Sequence, residues 1–236
     1  MPKANRCFIA DTRKRKGIIM ARRMGKTETI LFIGDSITDC GRRGGNAPLG
    51  DGFVRMVAEM FAIRQPGRAV QFINKGISGQ TIVELQERWT DDVLNQKPDI
   101  LVMMIGINDL HRTLGQPTNP VPPDRYGKLY NEVMARTVKA FPKCRIILLE
   151  PFYITAETAP TSIRHTVLSR LGGYIRVVHA VARKYKTGLI QTHKMFQGLL
   201  RHHKPEVFCP EPVHPNHTGH LAMAEAVYAV LARKRG

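Results

Sequence analysis

From residue 29 onward the chain alternates short, nearly continuous apolar runs with longer amphipathic segments, and this rhythm restricts the fold more than any other feature. The runs cover residues 29–33, 70–74, 100–105, 145–149 and 189–192. An unbroken apolar run suits a strand covered on both faces, which points to a parallel sheet rather than one with a wet face. Helices are predicted between the runs, at 53–63, 81–94, 126–141, 162–185, 193–203 and 217–234. The alternation predicts an α/β fold, a three-layer α/β/α sandwich with a five-stranded parallel sheet in flavodoxin-like order. Three stretches interrupt it, 38–52, 110–123 and 204–216. They are rich in Gly, Pro or Asn and are expected as loops at the sheet edge where open α/β folds bind ligands. No repeat, low-complexity segment or Pro/Ser-rich linker divides the region, so residues 29–236 are expected to be one domain.

The length of 236 residues, with 43% apolar and 23% charged, is enough for a sizeable core and excludes a disordered tail or a disulfide-stapled mini-protein. A net charge of +17 invites a nucleic-acid reading, so its distribution matters. Through Lys26 the chain has nine basic residues and one acid, Asp11, a net of +8; the other 210 residues hold 27 basic and 18 acidic, a net of +9. Residues 1–28 are therefore expected to be a basic, disordered arm outside the domain. Nucleic-acid binding through this arm stays open as an alternative, although no recognition motif accompanies it and Trp89 falls in the core pattern. Cys7, Cys40, Cys144 and Cys209 are widely spaced, as expected for reduced thiols in a cytoplasmic protein. The longest uncharged apolar stretch of the arm, residues 17–21, is too short for a secretory h-region, and neither a signal nor a membrane span is expected. Homo-oligomerisation is left open.

Four short blocks carry chemistry. The first run ends in Gly34-Asp35-Ser36, which presents a hydroxyl at the sheet mouth, although a lone Ser there also reads as a helix cap. The second leads into Ser78-Gly79-Gln80-Thr81, where Gly79 before a helix can offer a backbone N–H to an anion or simply serve a turn. The third leads into Gly106-Ile107-Asn108-Asp109, bringing an amide to the same edge, or a loop cap. Near the C-terminus stands Glu211-Pro212-Val213-His214, a carboxylate three residues before an imidazole. A carboxylate so placed can hold Nδ1 and leave Nε2 aimed at a hydroxyl. Each block has an ordinary structural reading, but together they supply a nucleophile, a base with its orienting acid, and oxyanion donors.

On these blocks the chain resembles the SGNH hydrolase superfamily, the GDSL esterases and lipases, from about residue 29 to its end. More narrowly, the runs 31–53 and 88–110 are similar to bacterial carbohydrate esterases of the acetylxylan esterase type. The resemblance implies Ser36 as nucleophile and His214 as base. It implies an oxyanion hole of the Asn108 amide and the backbone N–H groups of Gly79 and Ser36, with no metal or organic cofactor. It implies hydrolysis of short acyl esters, the narrower similarity favouring acetyl groups on sugars such as xylo-oligosaccharides, and the polar residues Arg42, Arg43 and Asn46 suit a hydrophilic alcohol better than a lipid tail. A lysophospholipase or acyl-thioesterase is the alternative, which would need an apolar groove. One position departs from the family: Glu211 stands where its D-x-x-H block has Asp. Glu211 is expected to complete the triad from one methylene farther out, with Asp35 the nearest substitute by motif. A metal site at His214, His217 and His220 is the remaining alternative, weakened by the absence of a second ligand cluster.

Overall fold

The computed structural model describes residues 26–116 and 118–233. The basic arm lies almost wholly outside the described residues. Five strands, β1 (Glu28–Gly34), β2 (Val70–Gly76), β3 (Ile100–Met104), β4 (Arg145–Leu149) and β5 (Gly188–Ile190), pair in parallel in the order β2-β1-β3-β4-β5. This is the expected flavodoxin-like order. Ile30 to Ile33, Leu101 to Met103 and Ile147 to Leu149 are essentially inaccessible, because helices cover the sheet on both faces.

The helices are α1 (Ser36–Asp39), α2 (Phe53–Arg64), α3 (Ile82–Glu87), α4 (Ile107–Gly115), α5 (Pro123–Ala140), α6 (Ile163–Tyr185), α7 (Thr192–Leu199) and α8 (His217–Leu231). Helix α2 packs on α8, while α3, α5 and α6 form a second contiguous group. Trp89, just after α3, is fully buried and donates Nε1–H to Thr137 Oγ1 of α5 at 3.0 Å, which settles its only polar group. None of the described helices is long and apolar enough to cross a membrane.

Several expected boundaries move. The stretch 110–123, expected as a loop, opens with most of α4, because Ile107, Leu110 and Leu114 recur at helical spacing and the first two are buried. The expected loop 38–52 begins inside α1, a single turn capped by Asp35. The helix expected over 81–94 breaks after Glu87 and resumes as a π turn over Thr90–Leu94. The segment 193–203 is helical only to Leu199, and Thr192, expected in the last strand, opens α7 instead. Within 204–216, Pro205–Val207 form a 3₁₀ turn.

Candidate active site

Parallel strands bring their carboxyl ends to one edge, and the chain leaves β1, β2 and β3 there through the three N-terminal blocks. Ser36 is the first residue of α1. Asp35 caps this turn by accepting the Ile37 N–H at 3.0 Å through its carboxylate. The turn aims the Ser36 side chain out of the edge, and no acceptor among the described residues takes its backbone N–H. Burial pushes the Asp35 carboxyl up to about 7, against the opposing effects of the Ile37 N–H and the His214 charge.

Asp35 therefore carries a stability prediction. Its folded pKa lies above its ordinary value of 3.8, so the folded chain holds a proton that the unfolded chain releases between these values. The contribution is full below about 3.8 and is lost as pH rises through about 7. Asp35→Asn keeps the capping oxygen and removes this dependence. The stability difference between variant and wild type, from denaturant unfolding, is expected to grow in the variant's favour by about 1 kcal/mol per pH unit over that window. A pH-independent difference would refute it.

The second block is held against the first by Asp39, which sequence reasoning passed over. Its Oδ2 accepts the Ser78 N–H and Oγ–H, each at 3.0 Å, and the Arg43 guanidinium at 3.0 Å. Burial opposes the Asp39 charge, but these donors outweigh it and hold the carboxyl below its ordinary value. Asn74 adds a second brace, donating Nδ2–H to Thr38 O at 2.6 Å and Leu49 O at 2.8 Å. Arg42 is likewise occupied, its Nε–H on Gly76 O at 2.5 Å. Two of the polar residues expected to greet an alcohol thus spend donors on the scaffold. Just beyond, Gly79 has φ of +79°, a conformation that side chains resist, and a Cβ there would meet nothing within 4 Å. Its N–H is not taken by any described acceptor, and the space before it is open.

Asn108 is the second residue of α4, not a loop residue. Its Nδ2 donates to Gln80 O at 3.0 Å, which fixes the amide plane and leaves the second N–H available. The next residue, Asp109, is fully buried and accepts the Ile82 N–H at 3.0 Å, so the third block is tied to the start of α3. Burial raises the Asp109 carboxyl to about 7.

The last block completes the group. Ser36 Oγ–H donates to His214 Nε2 at 2.8 Å. On the far side of the ring, Nδ1–H donates to Glu211 Oε1 through a short hydrogen bond. The same carboxylate accepts the Val213 N–H at 2.9 Å and the His214 N–H at 2.8 Å. Burial opposes the Glu211 charge, yet these three donors hold its carboxyl below the ordinary carboxylate range. The loop itself is pinned by Ile154, whose N–H donates to Pro212 O at 2.8 Å. The His214 side chain remains 55% exposed, so the imidazole can be reached from solvent.

The three histidines weighed as a metal group do not converge. His220 is buried, stacked on Phe53, accepts the Phe53 N–H at Nδ1 (3.3 Å), and turns Nε2 toward Cys40 Sγ (3.4 Å). Burial lowers its pKa to about 4 and raises that of the Cys40 thiol to about 12. His111, one turn after Asn108, was missed; it meets Tyr153 edge-on at 6.1 Å between ring centroids. Burial lowers its pKa, and the charges of Glu211 and His214 reach it. Its helical spacing from Asn108 marks it only once residues 107–115 are seen as a helix.

A model of the GDSL-like lipase/acylhydrolase family matches residues 32–222. The chain belongs to this family. It is 36% identical to an acetylxylan esterase of Geobacillus stearothermophilus over 212 residues, 86% of this chain and 94% of the relative. A solved mutant of an acetyl-xylooligosaccharide esterase from the same bacterium superposes with a TM-score of 0.79 at 33% identity, covering 90% of this chain and 99% of that one. An α/β hydrolase enzyme from a metagenome of Lake Arreo, Spain, gives a TM-score of 0.77 at 32% identity, covering 87% and 95%. This GDSL family member is a carboxylic ester hydrolase.

Proposed function

We propose that the chain is a carbohydrate acetyl esterase, removing acetyl groups from sugar hydroxyls such as those of xylo-oligosaccharides, through a Ser36–His214–Glu211 triad. The observation that carries the mechanism is the hydrogen-bonded line from Ser36 Oγ through both ring nitrogens of His214 to Glu211. The substrate class is supported by similarity to the Geobacillus esterases. Solved catalytic mutants of the Geobacillus acetylxylan esterase change a serine, a histidine and an aspartate, the residue types of the line except for its acid.

In this reading Ser36 Oγ attacks the ester carbonyl carbon while His214 Nε2 takes its proton. Glu211 holds the ring in the required tautomer and balances the imidazolium. The oxyanion is received by the Ser36 and Gly79 backbone N–H groups and the second Nδ2–H of Asn108, each such donor contributing about 2.7–4 kcal/mol to the lowered barrier. His214 returns its proton to the departing sugar oxygen as the C–O bond breaks. Water then repeats the attack on the acyl-enzyme, releasing acetate and restoring the Ser36 hydroxyl.

The test compares acetylated xylo-oligosaccharides with long-chain acyl esters as substrates. A higher kcat/KM on the oligosaccharides is expected. A preference that rises with acyl length would move the assignment to the lysophospholipase or thioesterase class.

A further inference from the structure

A cleft of about 490 Å³ lies between α4, the start of α5 and the middle of α6. Its volume is in the range of small-molecule sites. Leu114, Pro122 and Pro123 give it an apolar wall, and Arg170 and Arg176 stand on its α6 side. None of its lining residues is acidic, and neither arginine forms an ion pair among the described residues. The hydroxyls at its base are already engaged: Tyr174 Oη–H reaches Thr113 Oγ1 at 3.0 Å and Val121 O at 2.9 Å, and Thr113 Oγ1–H donates to Asp109 O at 2.8 Å. The uncommitted donors are therefore the two guanidiniums.

Helix geometry makes them a pair. Six residues apart, their Cα atoms are separated by about 9 Å along the axis and about 120° around it, with position 173 midway in both senses. That position is Gly173, where a Cβ would lie 2.9 Å from Pro123 Cγ. Its neighbour Gly172 would bring a Cβ within 3.4 Å of the Arg176 guanidinium, which folds back across the glycine pair. Two glycines inside a 23-residue helix are unfavourable by about 1 kcal/mol each relative to Ala. What they leave is room for Pro123 and the Arg176 guanidinium to lie directly on the α6 backbone, with Arg170 also on that side of the cleft. Along α4, Leu114 lies six residues from Asn108, about 9 Å by helical rise.

We propose that this cleft binds a carboxylate-bearing sugar residue of the substrate chain, so that the esterase favours acidic acetylated oligosaccharides over neutral ones. The carboxylate meets the guanidiniums while the sugar's C–H faces lie on Leu114 and the prolines. The inference rests on the carbohydrate reading above for its link to catalysis, but not for binding itself.

The test uses the full chain and its Arg170→Gln/Arg176→Gln double variant, both sites being exposed. Substrates are acetylated xylo-oligosaccharides with and without a uronic acid substituent, together with nitrophenyl acetate. Wild type is expected to show the lower KM on the acidic oligosaccharide, and the double variant to raise that KM about tenfold while leaving the other two substrates unchanged. Equal wild-type KM values on the two oligosaccharides, or an equal loss on both in the variant, would overturn it. Trigalacturonate titrated by calorimetry provides a readout independent of turnover. Saturable binding to wild type, lost in the double variant, supports the cleft even if acetylated carbohydrate is not hydrolysed; no binding removes it even if carbohydrate hydrolysis stands.

Discussion

Ser36→Ala is expected to lower kcat on a short-chain nitrophenyl ester by about 10⁶-fold while leaving the melting temperature within a degree or two. The large loss follows from chemistry: without Oγ there is no atom to form the acyl-enzyme, and His214 Nε2 loses its partner at 2.8 Å. The intact fold follows from position. Ser36 opens a one-turn helix whose cap is the Asp35 carboxylate, and among the described residues its own side chain bonds only to His214. The backbone N–H groups of residues 36 and 79 and the Asn108 amide survive the change, so residual catalysis above the uncatalysed rate is expected from them. Turnover near the wild-type value would remove Ser36 from the mechanism.

Glu211→Gln is expected to cost about 10⁴-fold in kcat, because an amide cannot be relied on to hold the same imidazole tautomer and does not balance the imidazolium. The position is informative because the family's aspartate is replaced here by a longer side chain. Both oxygens are clamped by backbone N–H groups, from Val213 and His214, so the carboxylate is fixed in place as well as charged. Glu211→Asp is expected to fall between wild type and Gln, since a carboxylate one methylene shorter cannot keep both clamps and the bond to Nδ1 without moving the loop. Steady-state kinetics on nitrophenyl acetate measure the series. A Gln variant within tenfold of wild type would leave a Ser36–His214 dyad.

The strands were legible because a parallel sheet buried on both faces writes itself as unbroken apolar runs, as in Leu101 to Met103. The site blocks were legible because each follows a run directly, so their shared edge is a consequence of parallel pairing. Helix α4 was not, since Asn108, Asp109, Arg112 and Thr113 make its sequence look like the Gly- and Pro-rich stretch that follows. Its stability there comes from distant partners: Asp109 on the Ile82 N–H, Arg112 on Glu84 at 2.7 Å. The braces at Asp39 and Asn74 escaped for the same reason, as Ser78 lies 39 residues from Asp39, and Thr38 and Leu49 lie 36 and 25 residues from Asn74.

By itself the sequence determined the α/β class, the strand positions and the kinds of side chain at the sheet's carboxyl edge, because local apolar patterning and the short blocks behind each strand suffice for these. Tertiary structure alone decided where the Glu211 carboxylate lies relative to the His214 ring. That depends on where the loop runs, and the loop is set by Ile154, more than fifty residues upstream, donating its N–H to Pro212 O. The cleft between α4, α5 and α6 was decided the same way, since a glycine pair in a helix acquires meaning only once Pro123 packs against it.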